Sequence, residues 1–281
     1  KRIPMADKGL IAVGVAAHVP SLGSEATIPD FQRGLVRGLR EMGEAIRAMK
    51  PDVLVVESAH WVSTFNWFAT LQNPHRGYCV ATEAIELIPG TFYERKGDPA
   101  YGAALIEAFR PHGVPAFPNA SEHYSWDYAG LIPLLHLDPD AELPVIQIPT
   151  VLAADHDECR LAGRLVDEAA RATGRRAVFI ASSALTHAVV RGRHNWPTPE
   201  RMEMDRRMIG LLCAGDLAAI NAWFPEYSAA VKAEMGGRVL ATLLGAMQAL
   251  SAGARKMSGK QFGDYAQSSG SGNVNVLVTA A

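Results

Sequence analysis

Five short apolar runs punctuate the chain: LIAVGVAAH (10–18), VLVVES (53–58), PVIQIPTVL (144–152), AVFIASSA (177–184) and NVNVLV (273–278). Each is brief and rich in β-branched residues, the mark of strands covered on both faces. Between the first two, Phe31, Leu35, Leu39, Met42, Ile46 and Met49 recur at helical spacing, which lays one apolar stripe along a helix that Pro51 closes. The same periodicity returns around 100–109, 158–172, 200–222 and 234–250. Strands alternating with helices predict an α/β fold, a single domain over residues 1–281 with a central, mostly parallel or mixed sheet flanked by helices. The tract 251–273, with its Gly and Ser and its SSGSGN ending, reads as a connection before the last strand.

Composition narrows the function. At 281 residues, 48% hydrophobic and 20% charged, the chain holds enough apolar material for one large core. Its net charge is −2, and no Lys/Arg cluster is interleaved with aromatics, so neither nucleic acid nor an anionic membrane is an expected partner. Cys79, Cys159 and Cys213 are far apart and form no C-x-x-C pair, which fits a reducing cytoplasm. No run approaches the ~18 apolar residues of a membrane span, and KRIPMADKGL lacks the order of a secretory signal.

Polar groups that terminate apolar runs deserve inspection, because ligands collect at the carboxyl ends of strands in α/β sheets. His18 ends the first run, His60 follows the second by two positions, and His187 follows AVFIASSA in ASSALTH. Three strand ends thus each offer an imidazole. A serine hydrolase would need G-x-S-x-G, whereas Ser182 and Ser183 sit in IASSAL without flanking glycines. H-E-x-x-H, a Walker loop and a strand-following G-x-G-x-x-G are all absent. Two neutral imidazoles plus one carboxylate form the facial triad suited to non-haem Fe(II), with positions left open for substrate and O₂. His18 and His60 fit the imidazole roles; Glu57, Asp127, Glu226 and Glu234 all remain open as the carboxylate.

Seven segments then point to a family. AAHVPS (16–21), ESAHW (57–61), DYAGLIPL (127–134), ASSALTH (181–187), FPEYS (224–228), AEMGGR (233–238) and SSGSGNVN (268–275) stand in the order and at about the spacing of class III extradiol ring-cleavage dioxygenases. The chain resembles their catalytic subunits, of the protocatechuate, homoprotocatechuate or aminophenol type, from its first strand to its last. The resemblance implies Fe(II) held by His18, His60 and Glu234, His187 as the acid–base, and Tyr128 near substrate and dioxygen. It implies a catechol or ortho-aminophenol as substrate, O₂ as co-substrate, and either a homo-oligomer or a separate small subunit. A non-catalytic relative that binds or signals, and a zinc- or manganese-dependent hydrolase on the same residues, are the alternatives.

Other residues carry weaker expectations. Glu57 or Asp127 could orient a ligating imidazole, although a helix cap is the commoner use of such residues. Trp61, Trp126 and Pro133 could wall a pocket or simply fill the core. His75, His112, His136 and His194 lie in turns and are expected to face solvent. His156 reads as a helix start capped by Asp155 or Asp157. His123, just before the Tyr128 segment, is the candidate for binding a substrate carboxylate.

Overall fold

All five apolar runs enter one six-stranded sheet. The computed structural model describes residues 8–252 and 255–281. Its strands are β1 (Gly9–Ala16), β2 (Val53–Ser63), β3 (Trp67–Thr70), β4 (His75–Cys79), β5 (Thr91–Arg95), β6 (Ala116–Asn119), β7 (Val145–Val151), β8 (Arg176–Ser182), β9 (Met257–Ser268) and β10 (Ser271–Ala280). The central sheet runs β7-β2-β8-β1-β10-β9. Its first four strands are parallel, and the β9–β10 hairpin adds an antiparallel edge. The expected mixed α/β sheet is therefore what forms.

Helices α1 (Arg33–Ala48), α2 (Pro99–Phe109), α3 (Tyr128–Leu137), α4 (His156–Thr173), α5 (Pro199–Ala214), α6 (Leu217–Ala230) and α7 (Arg238–Leu250) cover both faces. Strand alternation divides the core between them. Val53 and Val55 of β2 join α2, α4 and α7 on one side, while Leu54 and Val56 join α1 and α3 on the other. That two-sided burial explains why the strands read as unbroken apolar runs. Each such side chain contributes roughly 1.5–3 kcal/mol when fully buried.

Departures from expectation have local causes. The 200–222 segment is two helices, because α5 stops at Ala214 and Asp216 caps α6 by accepting from Ala219 N. Phe31 precedes α1 in a 3-10 turn and stays exposed. Within 251–273, residues 257–268 are a strand and not a connection. As the edge of the sheet, β9 alternates buried and exposed positions, so its polar half hides the strand signal. Residues 253–254 of that tract lie outside the described residues. Among the described residues, no helix is long and apolar enough to cross a membrane.

Candidate metal centre

Strands β2, β8 and β1 are neighbours and parallel, so their carboxyl ends share one edge. His18 lies two residues beyond β1. There the backbone is held by Asn275, whose Oδ1 accepts from Ala17 N at 3.0 Å.

His60 is delivered by a bulge in VVESAHWV. Ser58 pairs with Pro149 and Val62 already pairs with Thr150, so residues 59–61 are pushed out of register. Ser58 Oγ fixes the bend by accepting from His60 N at 3.1 Å and Trp61 N at 3.2 Å while donating to Asp127 Oδ1 at 2.7 Å. An apolar strand thus runs into polar residues because the chain bulges out of the ladder there, presenting an imidazole before it rejoins β7.

Glu234 occupies a short 3-10 turn before α7, and left-handed geometry makes the turn tight. Met235, Gly236 and Gly237 have φ of 51°, 66° and 81°. The two glycines adopt this freely, while Met235 takes on strain of order 1–3 kcal/mol. Such a turn reverses the chain so that Glu234 enters the site and α7 departs from it. Segment 185–187 is laced in by bridges Thr186↔Ala233 and His187↔Ser271.

One carboxylate oxygen sits amid three imidazoles. Glu234 Oε1 is 3.3 Å from His18 Nε2, 3.5 Å from His60 Nε2 and 3.5 Å from His187 Nε2. Its other oxygen, Oε2, accepts from Ala184 N at 2.6 Å. Glu234 is 2% exposed. Burial pushes its pKa up, but the neighbouring His18, His60 and His187 outweigh this and hold it well below the usual carboxylate range. Burial lowers the His187 pKa, with Glu234 opposing and His18 and His60 reinforcing the shift. For His60 the burial effect is overcome by Glu234, Asp127 and Glu83, and its pKa rises.

Tautomers follow from donor counting. Ser182 Oγ has one proton and donates it to Ala129 O at 2.6 Å. Its 3.1 Å contact with His18 Nδ1 therefore has the imidazole N–H as donor. That leaves Nε2 as the His18 ring nitrogen aimed at the site, 3.3 Å from Glu234 Oε1. His60 Nδ1 faces Glu83 Oε1 at 3.6 Å, and the Tyr128 hydroxyl lies 2.8 Å from His60 Nε2.

This donor set fits a metal ion. Ligand atoms of His18, His60 and Glu234 all lie within 4.8 Å of one another, and two neutral nitrogens with one anionic oxygen suit a divalent transition metal. A cavity of about 130 Å³ opens beside them, bounded also by His187, Tyr128, Val189, Ser269 and Asn273.

Other candidates fall elsewhere. His123 is not brought in: its side chain is 88% exposed and its Nε2 lies 3.5 Å from Glu122, because the 120–125 loop carries it outward. Asp127 caps α3 by accepting from Gly130 N. Glu57 projects to the opposite face of β2, toward Thr242, and burial raises its pKa well above the carboxylate range. Glu226 is exposed.

Trp126 stacks on Tyr93 in the core, Trp61 stands against Tyr124, and Pro133 is buried inside α3. His112 and His194 face solvent as expected, but His75 and His136 do not. These two are buried with Nε2 bound to Val145 O and Leu22 O, because neither lies in a turn: His75 opens β4 and His136 sits in the last turn of α3. His156 starts α4, with Asp155 as the cap. Sequence reasoning missed Glu83 and weighed Ser182 only as a nucleophile; no spacing signal marks a residue whose partner is an imidazole from another segment.

Fold and site together define an α/β protein with a His-His-Glu group of metal-binding composition at its strand ends. Residues 13–279 match the family model described as the catalytic LigB subunit of aromatic ring-opening dioxygenase, and the chain belongs to that family. It is 24% identical over 273 residues to the beta subunit of a 2-aminophenol 1,6-dioxygenase from a Pseudomonas species, covering 87% of each chain. A dioxygenase, tasH, of Hapsidospora irregularis is 26% identical over 112 residues, 38% of this chain and 32% of its own length. An uncharacterized protein of Escherichia coli K12 has the same fold, with a TM-score of 0.64, 17% identity, and coverage of 95% of this chain and 99% of its own.

Proposed function

We propose that the protein is a non-haem Fe(II) extradiol dioxygenase that opens a catechol or ortho-aminophenol ring beside its hydroxyl pair or hydroxyl–amine pair, using O₂. The observation that carries this reading is the buried Glu234 Oε1 within 3.5 Å of three imidazole Nε2 atoms, in a chain of the ring-opening dioxygenase family.

His18, His60 and Glu234 would hold the ion. Bound there, Fe(II) would supply a Lewis-acidic, redox-active centre with positions free for a chelating aromatic and for O₂. The chain's own residues do the rest. Ser182 keeps His18 in the tautomer with Nε2 unprotonated. His187, its pKa lowered by burial, is neutral near pH 7 and accepts a proton from the substrate hydroxyl, then returns it as the ring opens. Tyr128 keeps its proton, because burial raises its pKa, and its hydroxyl donates a hydrogen bond into the same space. Val189 offers an apolar contact to the ring, while Ser269 and Asn273 add neutral polar groups.

Assembly with a second subunit is part of this reading, supported by the relative whose name makes it a beta subunit. Native mass measurement decides between that and a homo-oligomer.

Anaerobic loading with Fe(II), followed by O₂ and a panel of catechol, 2-aminophenol, protocatechuate and homoprotocatechuate, tests the proposal. One O₂ consumed per ring opened, with a yellow product, is expected. Turnover independent of O₂ would instead mark a hydrolase.

A further inference from the structure

Asp205 lies on α5, outside the metal centre, and is completely buried. A buried carboxylate demands donors, and here they arrive from three separate parts of the chain. Tyr227 Oη of α6 donates to Oδ1 at 2.9 Å. Tyr265 Oη of β9 donates to Oδ2 at 2.6 Å. Thr186 N, in the segment that carries His187, donates to Oδ2 at 3.3 Å. Burial raises the Asp205 pKa, and the Tyr265, Tyr227 and Thr186 bonds oppose that rise.

Packing around this hub leaves no slack. A Cβ on Gly272 would lie 2.1 Å from Tyr265 Oη and 2.3 Å from Asp205 Oδ2. Gly272 in turn exchanges backbone bonds with the tethered segment, Leu185 N to Gly272 O and Gly272 N to Thr186 O, each 2.9 Å. On the other side, His187 N reaches Val231 O at 3.3 Å. Segment 185–187 is therefore clamped between 271–272 and 231–233, with Asp205 beneath it.

We propose that Asp205, with Tyr227 and Tyr265, is the positioning residue for His187, fixing the backbone from which that imidazole reaches the site. The proposal rests on the acid–base reading of His187. It accounts for the tyrosine of FPEYS and the second glycine of SSGSGN, two motif positions that touch neither the three candidate ligands nor the cavity. The network acts through another residue, so it changes the reaction step and leaves metal binding alone.

Asp205→Asn keeps the shape but replaces one accepting oxygen with a donor. Tyr227→Phe and Tyr265→Phe, each deleting a single hydroxyl, serve where the Asn variant folds poorly. The expected result is a fall in kcat of roughly 10- to 100-fold, the range a misplacement near 1 Å produces, with KM and metal stoichiometry unchanged. In a His187→Ala background the same substitution should cost nothing further, since coupled residues are not additive.

A readout independent of turnover is the His187 ring resonance in the metal-free protein, identified by its loss in His187→Ala. It should shift in Asp205→Asn. Undiminished kcat, full additivity with His187→Ala, or an unmoved resonance would overturn the proposal. If His187→Ala itself keeps full activity, the acid–base reading fails, and the resonance alone then decides whether Asp205 places the ring.

Discussion

His18 Nε2 and Glu234 Oε1 lie 3.3 Å apart, although one residue follows the first strand and the other stands just before the last helix. A ring nitrogen and a buried carboxylate oxygen this close need a positive charge between them, a cation or a proton. Replacing the charge should therefore abolish the cation's hold. Glu234→Gln retains an oxygen for Ala184 N but removes the anion, and metal affinity measured by chelator competition is expected to fall at least 100-fold, beyond the 10- to 100-fold seen for outer partners.

Two residues behind the imidazoles differ in weight. Ser182 is buried and within hydrogen-bond distance of His18 Nδ1. Glu83 is half exposed and 3.6 Å from His60 Nδ1, beyond a good hydrogen bond. Ser182→Ala should weaken metal binding by roughly 10- to 100-fold, while Glu83→Gln should cost less than about 10-fold, since solvent screens an exposed pair. A larger loss in the Glu83 variant would reverse this ranking.

Tyr128→Phe separates binding from chemistry. The hydroxyl is not one of the three candidate ligand atoms, so metal stoichiometry should be unchanged. Turnover should drop roughly 100-fold or more, the size expected of one lost hydrogen-bond donor near a reacting group. Steady-state kinetics beside metal analysis checks both halves.

Stability should depend on acid through His75. Burial pushes its pKa down to about 4, against the hydrogen bond to Val145 O. The folded pKa lies below the unfolded value near 6.5, so the neutral ring contributes stability that is present above pH ~6.5 and lost as pH falls toward 4. The slope is about 1.4 kcal/mol per pH unit for one proton, with a ceiling of roughly 3 kcal/mol. His136, also lowered by burial, acts in the same direction. Urea unfolding of wild type and His75→Gln at pH 7 and pH 5 measures this; the variant should lose about one proton's worth of slope.

Much of the fold was legible because burial on both faces forces continuous apolar runs, and α1 advertised its stripe through Leu35, Leu39, Met42 and Ile46. β9 was not, since an edge strand needs only half its positions apolar. In the site, strand-end histidines 18, 60 and 187 stood out by position. Glu234 did not: four carboxylates were equal candidates until family resemblance singled it out.

The order of its elements, the apolar faces that pack them and the residue types available for chemistry were determined by the sequence alone, because these follow from local periodicity and composition. Which side chains meet was decided by tertiary structure. The bulge at 59–61, the left-handed turn after Glu234 and the tether of Thr186 to Asp205 all depend on contacts between distant segments. The pairing of β8 with β1 likewise brought Ser182 behind His18, an outcome that no local pattern encodes.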